Sequence, residues 1–345
     1  MAEATKTGIR IHQLYKIFGP KPENFIDPVR QGMSKQELRD VHGHVLGLRD
    51  INIDMPAGQI QVVMGLSGSG KSTLIRHINR LIEPTAGEIW VGEQEVMALK
   101  PAALRQFRSE QTAMVFQKFA LFPHLTVLEN TEYGLQVRGL GHKIRRDKAA
   151  QWIERVGLKG YEDHYPNQLS GGMQQRVGLA RALSNDAPVL LMDEAFSALD
   201  PLIRSDMQQV LLDLQRDIGK TIVFITHDLE EALRLGDRIA ILRDGEVVQQ
   251  GNGQDIVIRP ADDYISSFVR EVNRGRVISC RTLMQPYAPV AGPTVSAGLV
   301  IEEAARLLSA ERKQAANVVN EQGQLLGSVS LDDIIAAMVP PRTTA

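Results

Sequence analysis

The run Gly65-Leu66-Ser67-Gly68-Ser69-Gly70-Lys71-Ser72-Thr73 has the residue types and the spacing to hold a triphosphate. It fits G-x-x-x-x-G-K-[ST], in which glycines let successive backbone N–H groups turn inward on phosphate oxygens and the next helix adds its positive end. Lys71 is expected to reach the β- and γ-phosphates, and the Ser72 hydroxyl to hold Mg2+. Far along the chain, residues 189–194 (VLLMDE) read as a buried strand. It delivers Asp193 and Glu194 at its C-terminal end, the edge where open α/β sheets bind ligands. Asp193 suits Mg2+ through water, and Glu194 suits polarising an attacking water. Alone, a strand ending in Asp-Glu fits surface carboxylates equally well; beside a phosphate loop it reads as hydrolytic chemistry.

A third segment narrows the class. Leu169-Ser170-Gly171-Gly172-Met173-Gln174-Gln175-Arg176 opens a helix with a serine and two glycines, a second helix start shaped for an anion. One nucleotide rarely needs two such sites from one chain. These residues resemble the signature of ATP-binding-cassette proteins, although Met173 stands where that family usually has glutamine. The other landmarks follow in the family order: Phe18, the phosphate loop, Gln117, the signature, Asp193-Glu194, Ser197-Ala198-Leu199-Asp200 and His227.

The resemblance implies ATP and Mg2+ as cofactors and a head-to-tail pair of subunits. Ser170, Gly171 and Gly172 of one copy would close on the γ-phosphate held by the other, with Asp200 in contact across the dimer. It further implies Gln117 beside Mg2+ and the attacking water, His227 on the γ-phosphate, and Phe18 stacked on adenine, with Tyr15 as the other aromatic candidate. Read without the resemblance, Gln117 is a polar strand end, Phe18 a core ring, and His227 and Asp200 belong to helix caps.

Such residues need elements to position them. Residues 59–64 (QIQVVM) form an apolar run entering the loop, and Leu74, Ile75, Ile78, Leu81 and Ile82 then recur at helical spacing. Residues 101–108 and 143–156 read as amphipathic helices, and 201–217 as a helix with Ile203, Met207, Val210 and Leu214 on one face. Residues 221–226 and 239–242 read as strands, followed by a turn at Asp244-Gly245. Strands alternating with helices predict an α/β core around a mainly parallel sheet. The resemblance makes this a P-loop NTPase fold over residues 1–272, with an antiparallel β subdomain, a helical subdomain at about 100–180 and an insertion at 19–45. Within that insertion Ser34-Lys35-Gln36-Glu37 is a capping box that predicts a short helix to residue 42.

Beyond a boundary near residues 273–276 the chain reads strand, helix (301–310), strand (316–320), strand (325–330), helix (332–338). A tail of about 65 residues is marginal as a lone domain. It resembles one cystathionine-β-synthase (CBS) type repeat over 276–340, with Gly327-Ser328-Val329-Ser330-Leu331-Asp332-Asp333 where such repeats hold the ribose of adenosine ligands. Ser330 and Asp333 equally serve to cap the last helix. The expectation is that two tails pair and adjust activity.

Composition sets outer limits. The 345 residues are 43% apolar, with a formal charge of −2, so the chain offers no global attraction for nucleic acid. The local run His142-Lys143-Ile144-Arg145-Arg146-Asp147-Lys148 reads as the solvated start of a helix. A single cysteine, Cys280, excludes an internal disulfide and a thiol metal cluster. The first ten residues lack the apolar core of a secretion signal, and no window approaches the ~20 apolar residues that span a bilayer. A role at a membrane would therefore need a second chain.

A closer resemblance covers roughly residues 8–272. Leu14-Tyr15-Lys16-Ile17-Phe18-Gly19, Asn79-Arg80-Leu81-Ile82-Glu83-Pro84-Thr85 and residues 192–204 look like the glycine betaine/proline betaine importer ATPases of bacteria. That implies a homodimer on the cytoplasmic face of the bacterial inner membrane, beneath transmembrane permease subunits served by an external solute-binding protein. Residues 119–129 (FALFPHLTVLE) are where such subunits receive a helix of the channel; plain core packing is the other reading. Import of choline, histidine or proline would leave nearly the same sequence. A soluble cassette ATPase would carry two cassettes or a long coiled coil, and a phosphate-loop kinase would leave Ser170, Gly172 and His227 unused.

Overall fold

The computed structural model describes residues 7–117, 120–197, 199–286 and 289–339. Phe119 and Ala198 lie outside the described residues. The chain divides into two compact units, Met1–Gln250 and Gly251–Ala345.

At the centre of the first unit is a six-stranded sheet in the order Glu246–Gly251, Arg238–Arg243, Ile60–Met64, Thr221–Thr226, Val189–Asp193, Thr112–Val115. The four ladders joining Arg238–Arg243 through to Thr112–Val115 are parallel. Every residue of Ile60–Met64, Val189–Asp193 and Thr221–Thr226 is buried. That accounts for their continuous apolar runs, since a parallel strand covered on both faces has no solvent side to alternate with. The parallel direction also places the ends of three strands, at Met64, Asp193 and Thr226, on one edge of the sheet, and the segments carrying Lys71, Glu194 and His227 leave from that edge.

A second sheet, of four antiparallel-paired strands, runs in the order Val45–Met55, Ile9–Phe18, Ala86–Val91, Gln94–Glu95. It shares one core with the first through Ile9, Leu48, Ile51, Ile75, Ile89, Leu191 and Ile225. The insertion folds back on it: Ser34 Oγ accepts from Glu37 N and starts the helix Lys35–Asp40, whose Leu38 packs with Val29, Ile17 and Tyr15. A helical layer of Val127–Val137, His142–Arg155 and Gly171–Ser184 covers the region between Thr112–Val115 and Val189–Asp193 in sequence.

The second unit holds a sheet in the order Gln285–Pro286, Leu325–Ser330, Ala315–Val319, Thr294–Ser296. The helices Ile301–Ala310 and Leu331–Met338 bury Ile301, Ala304, Leu308 and Ile334 with Val318 and Val329, and Ile258 of Gly253–Ile258 packs on the same core. Directly after the boundary the chain makes a single bridge, Ser279 to Val300, and the short helix Cys280–Leu283, and the strand that precedes the helix at 301 is Thr294–Ser296. Among the described residues no helix is long and apolar enough to cross a membrane.

Candidate nucleotide site

The phosphate loop is a turn that side chains would block. Gly65 has φ +155°, and a Cβ there would lie 2.2 Å from the Leu242 carbonyl oxygen. Gly70 has φ +101° and presses on the Gly47 carbonyl. The loop is also tied from outside, because Gly245 N donates to Ser69 O and Arg49 N donates to Gly245 O. Ser67 and Gly68 are exposed at the loop's crest. From Gly70 the chain enters the helix Lys71–Ile78, which contains Ser72 and Thr73 in its first turn.

Lys71 is only 4% exposed. Its ammonium donates to the carbonyls of Gly65 (2.8 Å) and Leu66 (3.0 Å) and lies 3.7 Å from Glu194 Oε1. Burial pulls its pKa down from the usual lysine value, with the Glu194 carboxylate acting against that pull. Ser72 Oγ donates to Asp193 Oδ1 at 2.7 Å, and Arg76 Nη2 donates to the other oxygen of that carboxylate at 3.1 Å. Sequence reading passed over Arg76. It stands four residues after Ser72, hence on the same helix face, and that spacing is the signal that could have found it.

Glu194 sits immediately past the buried strand with φ +46°, a left-handed conformation that non-glycine residues rarely adopt. Gln117 Nε2 donates to its Oε2 at 3.1 Å, and His227 Nδ1 lies 3.8 Å from the same oxygen. Behind it, Ser197 N and Oγ both donate to the Glu194 carbonyl, at 3.2 and 2.9 Å. Lys71, Ser72, Gln117, Asp193, Glu194 and His227, drawn from four separate segments, thus form one connected polar cluster at the strand ends.

Phe18 ends the strand Ile9–Phe18 and is 39% exposed as a residue. Lys16 Nζ lies 5.0 Å from the ring centroid, and a side chain at Gly47 would strike the ring, so the remaining face is the one presented outward. Tyr15 is buried among the insertion residues with the Arg30 guanidinium over its ring, which removes it as a stacking surface.

The signature residues stand on a different element. Ser170 caps the helix Gly171–Ser184 by accepting from Met173 N at 3.3 Å, and this helix packs on Val127–Val137 and His142–Arg155. Space around Gly171 is open, whereas Gly172 lies against Ile203 of the helix Pro201–Ile218. Asp200 caps that second helix through Ile203 N. One chain therefore presents the serine-glycine helix start and Asp200 together, outside the hydrogen-bonded cluster of Lys71 and Glu194.

The residues fit a magnesium nucleotide. Ser69 Oγ is buried without a partner among the described residues, the Gly65 cradle has no room for a Cβ, and Ser72 and Asp193 offer the hard oxygen donors that Mg2+ takes.

A phosphate loop at the strand ends of a mainly parallel sheet, beside an antiparallel sheet and a helical layer with a serine-glycine helix start, defines a cassette-type ATPase. Comparison with known proteins is in accord: residues 48–197 match the model of the ABC transporter family, and residues 280–340 match the CBS domain. The glycine betaine transport ATP-binding protein OpuAA of Bacillus subtilis is 49% identical over 85% of this chain and 71% of its own. The glycine betaine/proline betaine transport system ATP-binding protein ProV of Salmonella typhimurium is 45% identical over 96% of this chain and 82% of its own. A dimeric ATP-binding cassette solved in a post-hydrolysis state with ADP and Pi superposes with TM-score 0.60 at 33% identity, over 71% of this chain and 98% of that one. The chain belongs to the ATP-binding subunits of ABC transporters, and it ends in a CBS domain.

Proposed function

We propose that this chain hydrolyses ATP to energise import of a quaternary amine of the glycine betaine/proline betaine type. It does so as a homodimer on the cytoplasmic face of the bacterial inner membrane, beneath permease subunits that receive solute from an external binding protein. The observation that carries the hydrolytic reading is the cluster in which Glu194 touches Lys71, Gln117 and His227 while Asp193 holds Ser72. Support for the solute class comes from the relatives' names, because nothing in an ATP site contacts the cargo.

In this reading Gly65, Ser67, Gly68, Ser69, Gly70 and Thr73 wrap the phosphates, Phe18 takes the adenine, and Ser72, Asp193 and Gln117 hold Mg2+, which when bound would neutralise phosphate charge. Lys71 exchanges its two loop carbonyls for phosphate oxygens. Glu194 orients and polarises the attacking water, and Gln117 fixes its carboxylate. His227 donates toward the γ-phosphate. Ser170, Gly171, Gly172 and Asp200 act on the nucleotide of the second copy, which suits a helix start that lies outside the chain's own cluster. The cassette is assigned to 1–272 and the CBS-like domain to 276–340, a division that the family match at 280–340 supports.

The test is the reconstituted complex of this chain, its permease and its binding protein, assayed for ATPase stimulation with glycine betaine, proline betaine, choline, proline and histidine. Stimulation by the betaines is expected. Stimulation confined to histidine or proline would transfer the chain to an amino-acid importer, and ATPase activity indifferent to every solute would remove the transport reading.

A further inference from the structure

Arg204 lies in the first turn of the helix Pro201–Ile218, and its side chain leaves that helix in two directions. Nη2 donates to the Leu199 carbonyl at 3.1 Å, and Nη1 faces Asp228 Oδ2 at 3.8 Å. Nε is buried and has no acceptor among the described residues. Asp228 is divided between two duties. Its Oδ1 caps the helix Leu229–Leu235 by accepting from Glu230 N (2.8 Å) and Glu231 N (3.2 Å), which leaves Oδ2 for the guanidinium.

The neighbours of these two contacts make the arrangement more than a surface pair. Leu199 belongs to the loop that begins at Ser197, whose N–H and hydroxyl both hold the Glu194 carbonyl. Asp228 directly follows His227, whose Nδ1 lies 3.8 Å from the Glu194 carboxylate. A closed circuit results: Glu194, Ser197, Leu199, Arg204, Asp228, His227 and back to Glu194. A planar guanidinium with donors pointing apart is suited to this place, whereas a lysine ammonium, a single point of charge, is not built to serve acceptors on two elements at once.

We propose that Arg204 is a positioning residue that couples Leu199, the neighbour of Asp200, to His227, so that engagement of Asp200 by the second copy sets the histidine for turnover. The inference rests on the site reading under Proposed function. It concerns the link between two loops of one chain, which that reading leaves unassigned.

A second brace supplies the control. Arg234 Nη1 donates to Ser205 Oγ (3.0 Å) and Gln208 Oε1 (2.8 Å), and Gln208 Nε2 donates to Glu231 Oε1 (2.9 Å). It ties the same two helices together but touches neither Leu199 nor Asp228 through these bonds.

The experiment uses the full chain in its transporter complex, with Arg204→Met, Asp228→Asn, the double variant and Arg234→Met. Asparagine at 228 keeps an oxygen for the helix cap while giving up the charge. Each of the first two variants is expected to lower kcat about tenfold with KM within about twofold, and the double variant about tenfold also, because both break one connection. Amides of Glu230 and Glu231 in the nucleotide-free chain are expected to exchange hydrogen faster in Arg204→Met than in the unchanged protein. Arg234→Met is expected to lower thermal stability and leave kcat near its starting value.

A double variant about a hundredfold slower would overturn the proposal, since the two residues would then act independently. So would unchanged amide exchange in Arg204→Met, or an equal kcat loss in Arg234→Met. If Arg204→Met fails to fold, Arg204→Lys enters the same cycle. Failure of the underlying site reading is seen separately, as full turnover by His227→Ala.

Discussion

Ser72 Oγ and Asp193 Oδ1, 121 positions apart in sequence, meet at 2.7 Å. The sheet order produces this contact. Val189–Asp193 and Ile60–Met64 flank Thr221–Thr226 on its two sides, all three parallel, so the loop after one and the carboxylate ending the other emerge on the same edge. The hydroxyl and carboxylate are thereby paired, with Arg76 fixing the second oxygen of Asp193.

From that pairing, Ser72→Ala is expected to weaken nucleotide binding about 10- to 100-fold in the presence of Mg2+ and to leave binding in excess chelator unchanged. Titration with a fluorescent ATP analogue under both conditions checks it. Equal loss in both would mean that the hydroxyl supports the loop and not the cation.

Glu194→Gln separates charge from shape. Glutamine keeps an oxygen for Gln117 Nε2 at the place where Glu194 now accepts at 3.1 Å, and it removes the carboxylate that would polarise water. Turnover is expected to fall at least about 100-fold, while ATP-dependent dimers accumulate and elute early in size-exclusion chromatography. Normal turnover by this variant would take the general base away from Glu194.

The glycines of the loop divide into two kinds. Gly68 has φ +79° with open space around its Cα, so Gly68→Ala carries only left-handed strain, about 1–2 kcal/mol. Gly65→Ala combines an unfavourable φ with an overlap at the Leu242 carbonyl and requires backbone displacement. Nucleotide affinity is expected to survive the first substitution within about tenfold and to be lost in the second. Titration of both variants with the fluorescent analogue decides it, and similar affinities would dissolve the distinction.

Sequence and structure agree where a local rule suffices. The loop spacing, the apolar strand ending in Asp193-Glu194 and the capping residues Ser34 and Asp200 all depend on neighbours within a few positions. The strand Ile9–Phe18 was hidden because its register shifts between Ile11 and Leu14, again before Lys16 and again before Ile17, with Gln13 at φ +45°, which breaks the alternation of sides. The helix Val127–Val137 escaped because buried Asn130, Thr131 and Glu132 interrupt its apolar face. Its capping box, Thr126 with Glu129, was nevertheless in plain view. The helix Lys71–Ile78 stops before the apolar pattern does, since Arg80 takes φ +53° and turns the chain away. Arg204 could not be read at all: its role depends on Asp228, and only the packing of two helices brings them together.

His77 links the phosphate-loop helix to pH. It is fully buried, its Nδ1 donates to Thr73 O at 2.6 Å, and Nε2 has no partner among the described residues. Burial lowers its pKa from 6.5 to about 4, with nearby Lys16 acting in the same direction and Glu83 against it. The unfolded chain therefore takes up this proton first as pH falls through 6.5. The stability lost to it grows as pH drops from about 6.5 toward 4, and above that window its contribution is flat. His77→Gln is expected to reduce the difference in unfolding free energy between pH 7 and pH 4.5 by on the order of 2–3 kcal/mol. Denaturant melts of both proteins at the two pH values measure this, and an unaltered pH dependence would exclude His77 as the titrating group.

In the tail, Ser330 and Asp333 satisfy one another. Ser330 Oγ accepts from Asp333 N at 3.1 Å and donates to Asp333 Oδ2 at 2.7 Å, which starts the helix Leu331–Met338. With both groups engaged in a cap, Ser330→Ala is expected to cost about 1 kcal/mol, seen as faster hydrogen exchange confined to amides 331–338. If the cap is the whole role of this pair, millimolar AMP will not slow that exchange in the unchanged protein; protection by AMP would show instead that the pair leaves its cap for a ribose. Regulation by paired tails is a separate matter with its own measurement. Removing residues 276–345 leaves the Lys71–Glu194 cluster intact in the first unit, so ATP-driven uptake should persist while its dependence on ionic strength changes. Uptake that follows the same curve across ionic strengths with and without the tail would end the regulatory assignment and leave the phosphate site untouched.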